Sequence, residues 1–230
     1  MPIVYASNSG YMLKSDTLGW IGARAAASAD NVYDDPTNGN QSYAMAVLHS
    51  SSRGGNMYTI RRSFLWFDTS GIGQVSQASL KIYGYSSGTA DVIAVKSTAY
   101  GGDGSASLVA ADYNNFATGS GNDYSSEITT WSTSGYNTIT LNAAALTDIK
   151  NNDALIVCLM EYDYDHQDQV PSSVDIKSGM YYDNRTGTDY DPYLDYTLAG
   201  YGNDVMGVAT GSISKVTGVA TASIEKVIGV

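Results

Sequence analysis

Ala78-Ser79-Leu80-Lys81-Ile82-Tyr83-Gly84 decides the fold, because Ala78, Leu80 and Ile82 alternate with Ser79, Lys81 and Tyr83. In an extended chain that spacing puts the apolar set on one face and the polar set on the other, which marks a half-buried strand. Reading outward, similar patterning predicts strands at Gly10 to Lys14, Trp20 to Ala25, Met57 to Phe67, Ala90 to Ser97, Tyr136 to Leu141, Ala154 to Tyr162, Ser178 to Tyr182 and Tyr193 to Leu198. Turn chemistry follows two of these runs, Asp68-Thr69-Ser70-Gly71 and Ser86-Ser87-Gly88. The one fair helical stretch is Ala143 to Lys150, and two long loops are expected at Asp30 to Gln41 and Tyr100 to Ser126. Many short strands separated by turns predict an all-β fold, an antiparallel jelly-roll sandwich spanning residues 1–199.

Composition narrows the function classes. Of 230 residues, 43% are hydrophobic and only 15% charged, so a packed core is available while Ser, Thr, Asn, Gly and 19 Tyr must solvate the surface. Such a surface suits an extracellular or particle-borne β protein, since tyrosine packs its ring and keeps its hydroxyl wet. A formal charge of -11 opposes binding to a phosphate backbone, so no nucleic-acid partner is expected. No run approaches the roughly 20 apolar residues of a membrane span, and Met1-Pro2-Ile3-Val4-Tyr5-Ala6 lacks the basic and apolar parts of a secretory signal. Lytic release of a virus particle reconciles a display composition with that start; a mature secreted chain would do so too. The single cysteine, Cys158, lies in the apolar run Ala154 to Met160 and is read as a small core hydrophobe.

After Ala199 the character changes, and residues 200–230 read as a separate tail. The pattern Val-x-Gly-Val-Ala-Thr-x-Ser-Ile-x-Lys runs from Val205 to Lys215 and again from Val216 to Lys226, closing on Val227-Ile228-Gly229-Val230. Two copies and a fragment cannot bury their own Val205, Val208, Ile213, Val216, Val219, Ile224, Val227 and Val230, so a partner is expected to cover them. Another copy of the chain in a homo-oligomer, the sandwich body or a larger assembly are the candidates. Strand addition suits such Val- and Thr-rich segments.

Several segments, taken in order, carry a family resemblance. They are Arg61-Arg62-Ser63-Phe64-Leu65-Trp66-Phe67-Asp68-Thr69-Ser70-Gly71-Ile72, Ala78 to Gly84, Leu108-Val109-Ala110-Ala111-Asp112-Tyr113, Trp131 to Asn142, and Asp191-Pro192-Tyr193-Leu194-Asp195-Tyr196-Thr197. From about Gly10 to Thr197 the chain resembles the carbohydrate-binding-module-like jelly rolls labelled DNRLRE domains, and more closely their relatives among bacteriophage and prophage structural proteins. The resemblance implies a jelly roll with a non-enzymatic role on a virion, among other virion proteins, or on a cell surface. Arg61 and Arg62 read as fold signature, one of them placed to pair with a carboxylate across the sheet in an exposed contact of about 0–1 kcal/mol.

The search for chemistry returns little. There is no Gly-x-Ser-x-Gly elbow and no His-Glu-x-x-His helix, and only His49 and His166 supply imidazoles, so no catalytic residue is assigned. Glu161-Tyr162-Asp163-Tyr164-Asp165-His166-Gln167-Asp168 concentrates hard oxygens, and Asp163, Asp165 and Asp168, completed by Asp189 or Asp191, are the candidate ligands for calcium, the one cofactor considered. Counted from Asp163, the helical calcium loop fails, since Asp168 stands where glycine is required and Val174 where glutamate is. A solvated acidic rim is the simpler reading. For a host-surface glycan, the candidate ring faces and polar groups are Tyr162, Tyr164, Tyr181, Tyr182, Asn184, Arg185 and Tyr190. Trp20, Trp66 and Trp131 are assigned to the core. The sequence therefore points first to a phage virion structural protein (capsid decoration, fibre or tail accessory) and second to a carbohydrate-binding adhesin or accessory module, secreted or on a cell surface.

Overall fold

The computed structural model describes residues 2–34, 40–51, 55–89, 91–172, 177–183, 187–199, 215–216 and 219–220. Its strands are β1 (Ile3–Tyr5), β2 (Asn8–Asp16), β3 (Asn31–Tyr33), β4 (Gln41–Ser51), β5 (Gly55–Asp68), β6 (Val75–Gly88), β7 (Val92–Ser97), β8 (Phe116–Ala117), β9 (Tyr136–Thr140), β10 (Ala154–Glu161), β11 (Lys177–Tyr181), β12 (Tyr193–Leu198), β13 (Lys215–Val216) and β14 (Val219–Ala220). Two helices, α1 (Trp20–Arg24) and α2 (Ala143–Asn151), complete it. The protein is an all-β sandwich, and every described strand pairing is antiparallel.

One 12-stranded sheet, ordered β1-β12-β6-β11-β4-β5-β10-β7-β8 with β9 beside β6 and β2 and β3 beside β5, folds over on itself. The strand that opened the sequence reading joins its parts: Val75 to Lys81 pair with β12, Ser79 to Tyr83 with β9 on the opposite edge, and Gly84 to Gly88 with β11. Its Ala78, Leu80 and Ile82 face Leu65, Phe67, Leu155, Val157 and Leu159 of β5 and β10 in the first core. The alternate residues of those two strands, Phe64, Ile156, Cys158 and Met160, fill a second core on the far side. A strand buried on both faces needs no polar alternation, which is why β10 reads Ala-Leu-Ile-Val-Cys-Leu-Met. Each fully buried Leu or Phe contributes roughly 1.5–3 kcal/mol to this arrangement.

The second core is roofed by the long loop and α1. Tyr100 and Tyr113, both fully buried, donate their hydroxyls to the carbonyls of Phe64 and Ala23 at 3.0 Å. Gly104, at φ 84°, lets the loop cross Trp66, whose indole lies 2.0 Å from where a Cβ would stand. Only glycine fits there.

Three expectations need correction. Trp20 to Ala25 is not a strand but α1: Trp20 and Ala23 are buried at helical spacing, and the Asp16 carboxylate accepts from the Leu18 and Gly19 N–H groups ahead of it. β4 is an additional long strand whose Ala44 to Val47 are buried in succession, without the alternation that would have announced it. The arginine pair is not exposed, as shown below. α2 forms where expected, capped by the Asn142 side chain on the Ala144 and Ala145 N–H groups. In the tail, Lys215 pairs with Ala220 and Val216 with Val219. Val205, Val208, Ile213, Ile224, Val227 and Val230 lie outside the described residues. Among the described residues no helix is long and apolar enough to cross a membrane.

Candidate functional site

The acidic segment after β10 is a closed structural node. The chain leaves the strand in one π turn, Tyr162–His166, and the Glu161 carboxylate accepts from the N–H groups of Asp163, Tyr164 and Asp165 at 2.9, 2.7 and 3.0 Å. Burial pushes the Glu161 carboxyl up to about 7, against the downward pull of those N–H groups. The turn aims Asp165 inward, where its two oxygens meet Arg62 Nε at 2.8 Å and Nη2 at 2.7 Å. The remaining Arg62 donors reach the carbonyls of Tyr113 at 3.0 Å and Arg24 at 2.9 Å. Tyr113 and Phe116 lie 4.2 and 4.5 Å from the guanidinium carbon. Burial alone would lower the Arg62 pKa, but the Asp165 carboxylate, with Tyr113 and Cys158 adding to it, raises it on balance and holds the guanidinium charged. Both side chains of the pair are 0% exposed, so it is a buried ion pair and not the surface contact expected.

The candidate calcium ligands scatter. Asp165 is engaged with Arg62; Asp168 accepts from Trp20 Nε1 at 3.0 Å and lies 3.4 Å from Arg24 Nε. Asp189 and Asp191 sit beside Tyr136, whose hydroxyl donates to their backbone carbonyls at 2.9 and 3.3 Å. Asp163 alone joins a group that could accept a hard cation, with one carboxylate oxygen each from Asp91, Glu127 and Asp163 within 4.8 Å of one another. Burial and the neighbouring Asp91 carboxyl raise the Glu127 pKa. Sequence reasoning misses Asp91 and Glu127 because isolated bridges, Val92 to Ile128 and Val95 to Asp123, bring the two segments together without a regular strand pattern. His166 is held between Asp123 and Gln167, at 2.9 Å on each ring nitrogen, and stacks on Tyr162; His49 is exposed on β4.

The glycan candidates divide. Tyr162 and Tyr164 pack against the second core, and Tyr182 is 1% exposed, so it presents no ring face. Asn184 and Arg185 lie outside the described residues. Tyr181 and Tyr190 stack at 4.7 Å and belong to a larger feature. With Ile82, Met180 and Leu194 inside, alternation turns Tyr83, Tyr85, Tyr181 and Tyr193 outward, and register places Tyr5, Tyr43 and Tyr136 on the same face. Their rings touch in succession across the face: Tyr5 on Tyr193 at 5.7 Å, Tyr193 on Tyr136 at 5.0 Å, Tyr136 on Tyr83 at 5.1 Å, Tyr83 on Tyr181 at 5.8 Å, Tyr181 on Tyr85 at 5.5 Å and Tyr85 on Tyr43 at 6.4 Å. The face is a continuous half-exposed phenol row. Burial, and after it the electrostatic influence of Tyr193 and Tyr5, push the Tyr136 phenol up to about 12.

Beside β9 runs a groove of about 570 Å³, walled by Glu127 to Ser132 and by Tyr136, Asn137 and Thr138. Its lining of Thr129, Thr130, Ser132 and Thr138 with Trp131 and Tyr136 offers hydroxyls and two aromatic rings, in the size range of small-ligand sites, while the Asn137 amide is spent on the Ser132 and Ile82 backbone. Compared with known proteins, the chain matches no protein-family model and no curated sequence.

Proposed function

We propose that this chain is a non-enzymatic virion structural protein of the bacteriophage kind, a jelly roll that is displayed on the particle while residues 200–230 join it to other virion proteins or to further copies. The tyrosine row carries this reading: a stiff, neutral, phenol-covered sheet face suits contact with a partner surface, because tyrosine supplies area at low entropic cost. Glu161, Asp165 and His166 of the acidic turn are tied into folding contacts rather than left around an open cleft. Mass spectrometry of purified particles should find the chain, and deleting residues 200–230 should leave a folded sandwich that no longer joins the particle. A deletion that incorporates and sediments as the full chain does would remove the assembly role from the tail.

A second reading, a carbohydrate-binding adhesin or accessory module on a cell surface or secreted, is favoured by the stacked Tyr181 and Tyr190 and by the hydroxyl-rich groove. On a glycan array it expects binding that Tyr181→Ala or Tyr190→Ala abolishes; a blank array counts against it.

A further inference from the structure

β9 is an edge strand whose outer side is open. Gly84 donates to the Gly135 carbonyl and Leu141 to that of Ala78, so the odd-numbered residues of this stretch face β6 across the ladder. An antiparallel ladder alternates, and the N–H and C=O groups of Tyr136, Thr138 and Thr140 therefore point away from β6. Among the described residues those groups have no hydrogen-bond partner, and β9 pairs with no second strand. Nothing guards the edge: the strand reads Tyr-Asn-Thr-Ile-Thr, without lysine, proline or bulge, and Thr138 and Thr140 are exposed.

The groove of about 570 Å³ flanks the Tyr136 end of this edge, and Glu127 is the one charged residue on its wall. The Glu127, Asp91 and Asp163 carboxylates lie within 4.8 Å of one another, and none of the three enters an ion pair among the described residues. The tail repeat complements both features. Val205 to Lys215 is rich in β-branched residues and uncharged until its last position, Lys215, and the second copy again ends on a lysine, Lys226. Where the tail is described it is extended, Lys215–Val216 pairing antiparallel with Val219–Ala220. A strand laid antiparallel on β9 runs toward the Tyr136 end, so its terminal lysine arrives at the end of the edge where Glu127 stands. One edge takes one repeat, and the chain carries two, so each copy has a strand to spare for its neighbour.

We propose that the free edge of β9 receives a tail repeat, Val205 to Lys215, from a neighbouring copy of the chain, its lysine seated against Glu127, Asp91 and Asp163. This rests on the assembly role proposed for residues 200–230 and names where the tail docks. Main-chain hydrogen bonds to Tyr136, Thr138 and Thr140 supply the affinity, and the lysine fixes the register, since a slip of one residue turns it to the other face. Each copy offers an edge and supplies a strand, a head-to-tail contact that makes a ring where the rotation closes and a fibre where it does not.

Sedimentation velocity of the full chain over a concentration series tests this. The wild type should associate beyond the monomer. Thr138→Pro removes an N–H that faces away from β6, so the ladder survives while association should weaken at least about tenfold. Thr138→Val loses the same hydroxyl contact with Lys81 but keeps the N–H, and should associate as the wild type does. Glu127→Lys supplies the missing cation from within and should shut out the tail lysine, again by at least about tenfold. Neither Thr138→Pro nor the double variant Lys215→Glu with Lys226→Glu should associate alone, but mixed they should form a dimer, because one keeps its tail and the other its edge. Should Thr138→Pro fail to fold by circular dichroism, Glu127→Lys takes its place in the mixture. A wild type that stays monomeric, a folded Thr138→Pro that associates as the wild type does, or a mixture that remains monomeric would each overturn the docking. If both edge variants associate normally while the double tail variant does not, the β9 site falls and the assembly role of the tail stands.

Discussion

The turn after β10 and the outer face of β6 are made of opposite materials and behave in opposite ways. Glu161, Asp165 and His166 belong to the residue types that usually signal chemistry, yet each is engaged in contacts that fix the turn against Arg62, Asp123 and the backbone. Tyr83, Tyr136 and Tyr181 are neutral, repeated and individually uninformative, yet they form the open surface. The difference teaches that in this protein the charged groups hold the frame and the phenols meet the outside. The strongest way to break that comparison is at Arg62. Arg62→Met or Asp165→Asn leaves an uncompensated buried charge or donor set and should cost about 3–5 kcal/mol in urea unfolding. Replacing both at once should cost less than the sum of the two, and a loss below about 1 kcal/mol for either single change would show that the node is dispensable.

Next in size is the joint between the two regions. Gly179 of β11 lies under the phenol row, and a Cβ there would stand 1.9 Å from the Tyr85 carbonyl oxygen and 3.1 Å from the Tyr43 ring. The nearer atom is backbone and cannot step aside as a flexible side chain could. Gly179→Ala should therefore cost about 1–3 kcal/mol by overpacking and shift the near-ultraviolet tyrosine signal. A neutral substitution would mean that β11 is free to slide, and with it Tyr181.

How much of this was legible follows the same division. Alternation exposes β6 and the outward position of Tyr83, because one face of that strand is wet. It fails for α1, where Trp20, Gly22 and Arg24 mimic a strand while Trp20 and Ala23 are the buried pair, and for β4, where Ala44 to Val47 are buried in a row. The Arg62 and Asp165 pairing spans 103 positions and leaves no local trace. The same holds for Asp91 and Glu127. A strand pattern can say that a tyrosine points outward, but only the sheet topology, with β12, β9 and β11 all pairing with β6, makes neighbours of Tyr193, Tyr136, Tyr83 and Tyr181. Arg61 and Arg62 look alike in sequence, and one residue of register turns Arg62 to Asp165 and Arg61 to the Tyr11 and Tyr43 rings.

Titration sharpens the buried side of the comparison. Folding raises the Glu161 carboxyl to about 7, so the native state binds the proton more tightly than the unfolded chain does. Its contribution to stability is fully present below the ordinary glutamate range and is lost as pH rises through that range toward about 7. The slope from this one group is at most about 1.4 kcal/mol per pH unit. Unfolding curves taken between these limits should show the Glu161→Gln variant with a flatter pH dependence than the wild type. Parallel curves would assign the slope to another group, Glu127 being the other carboxyl among the described residues that folding raises.

The smallest effect is expected at the end of the phenol row. Tyr5 of β1 is 36% exposed and touches one ring, that of Tyr193, so Tyr5→Ala removes a single cross-strand aromatic contact. Such a pair is worth about 0.2–1 kcal/mol, and the urea midpoint should move by no more than that while the slope of unfolding stays the same. The Arg62 variants supply the scale against which to read it. If Tyr5→Ala instead costs more than about 2 kcal/mol, the row behaves as core and its rings are committed to folding. A loss inside the small range keeps the phenol face as a surface that the sandwich can do without and that a partner can therefore use.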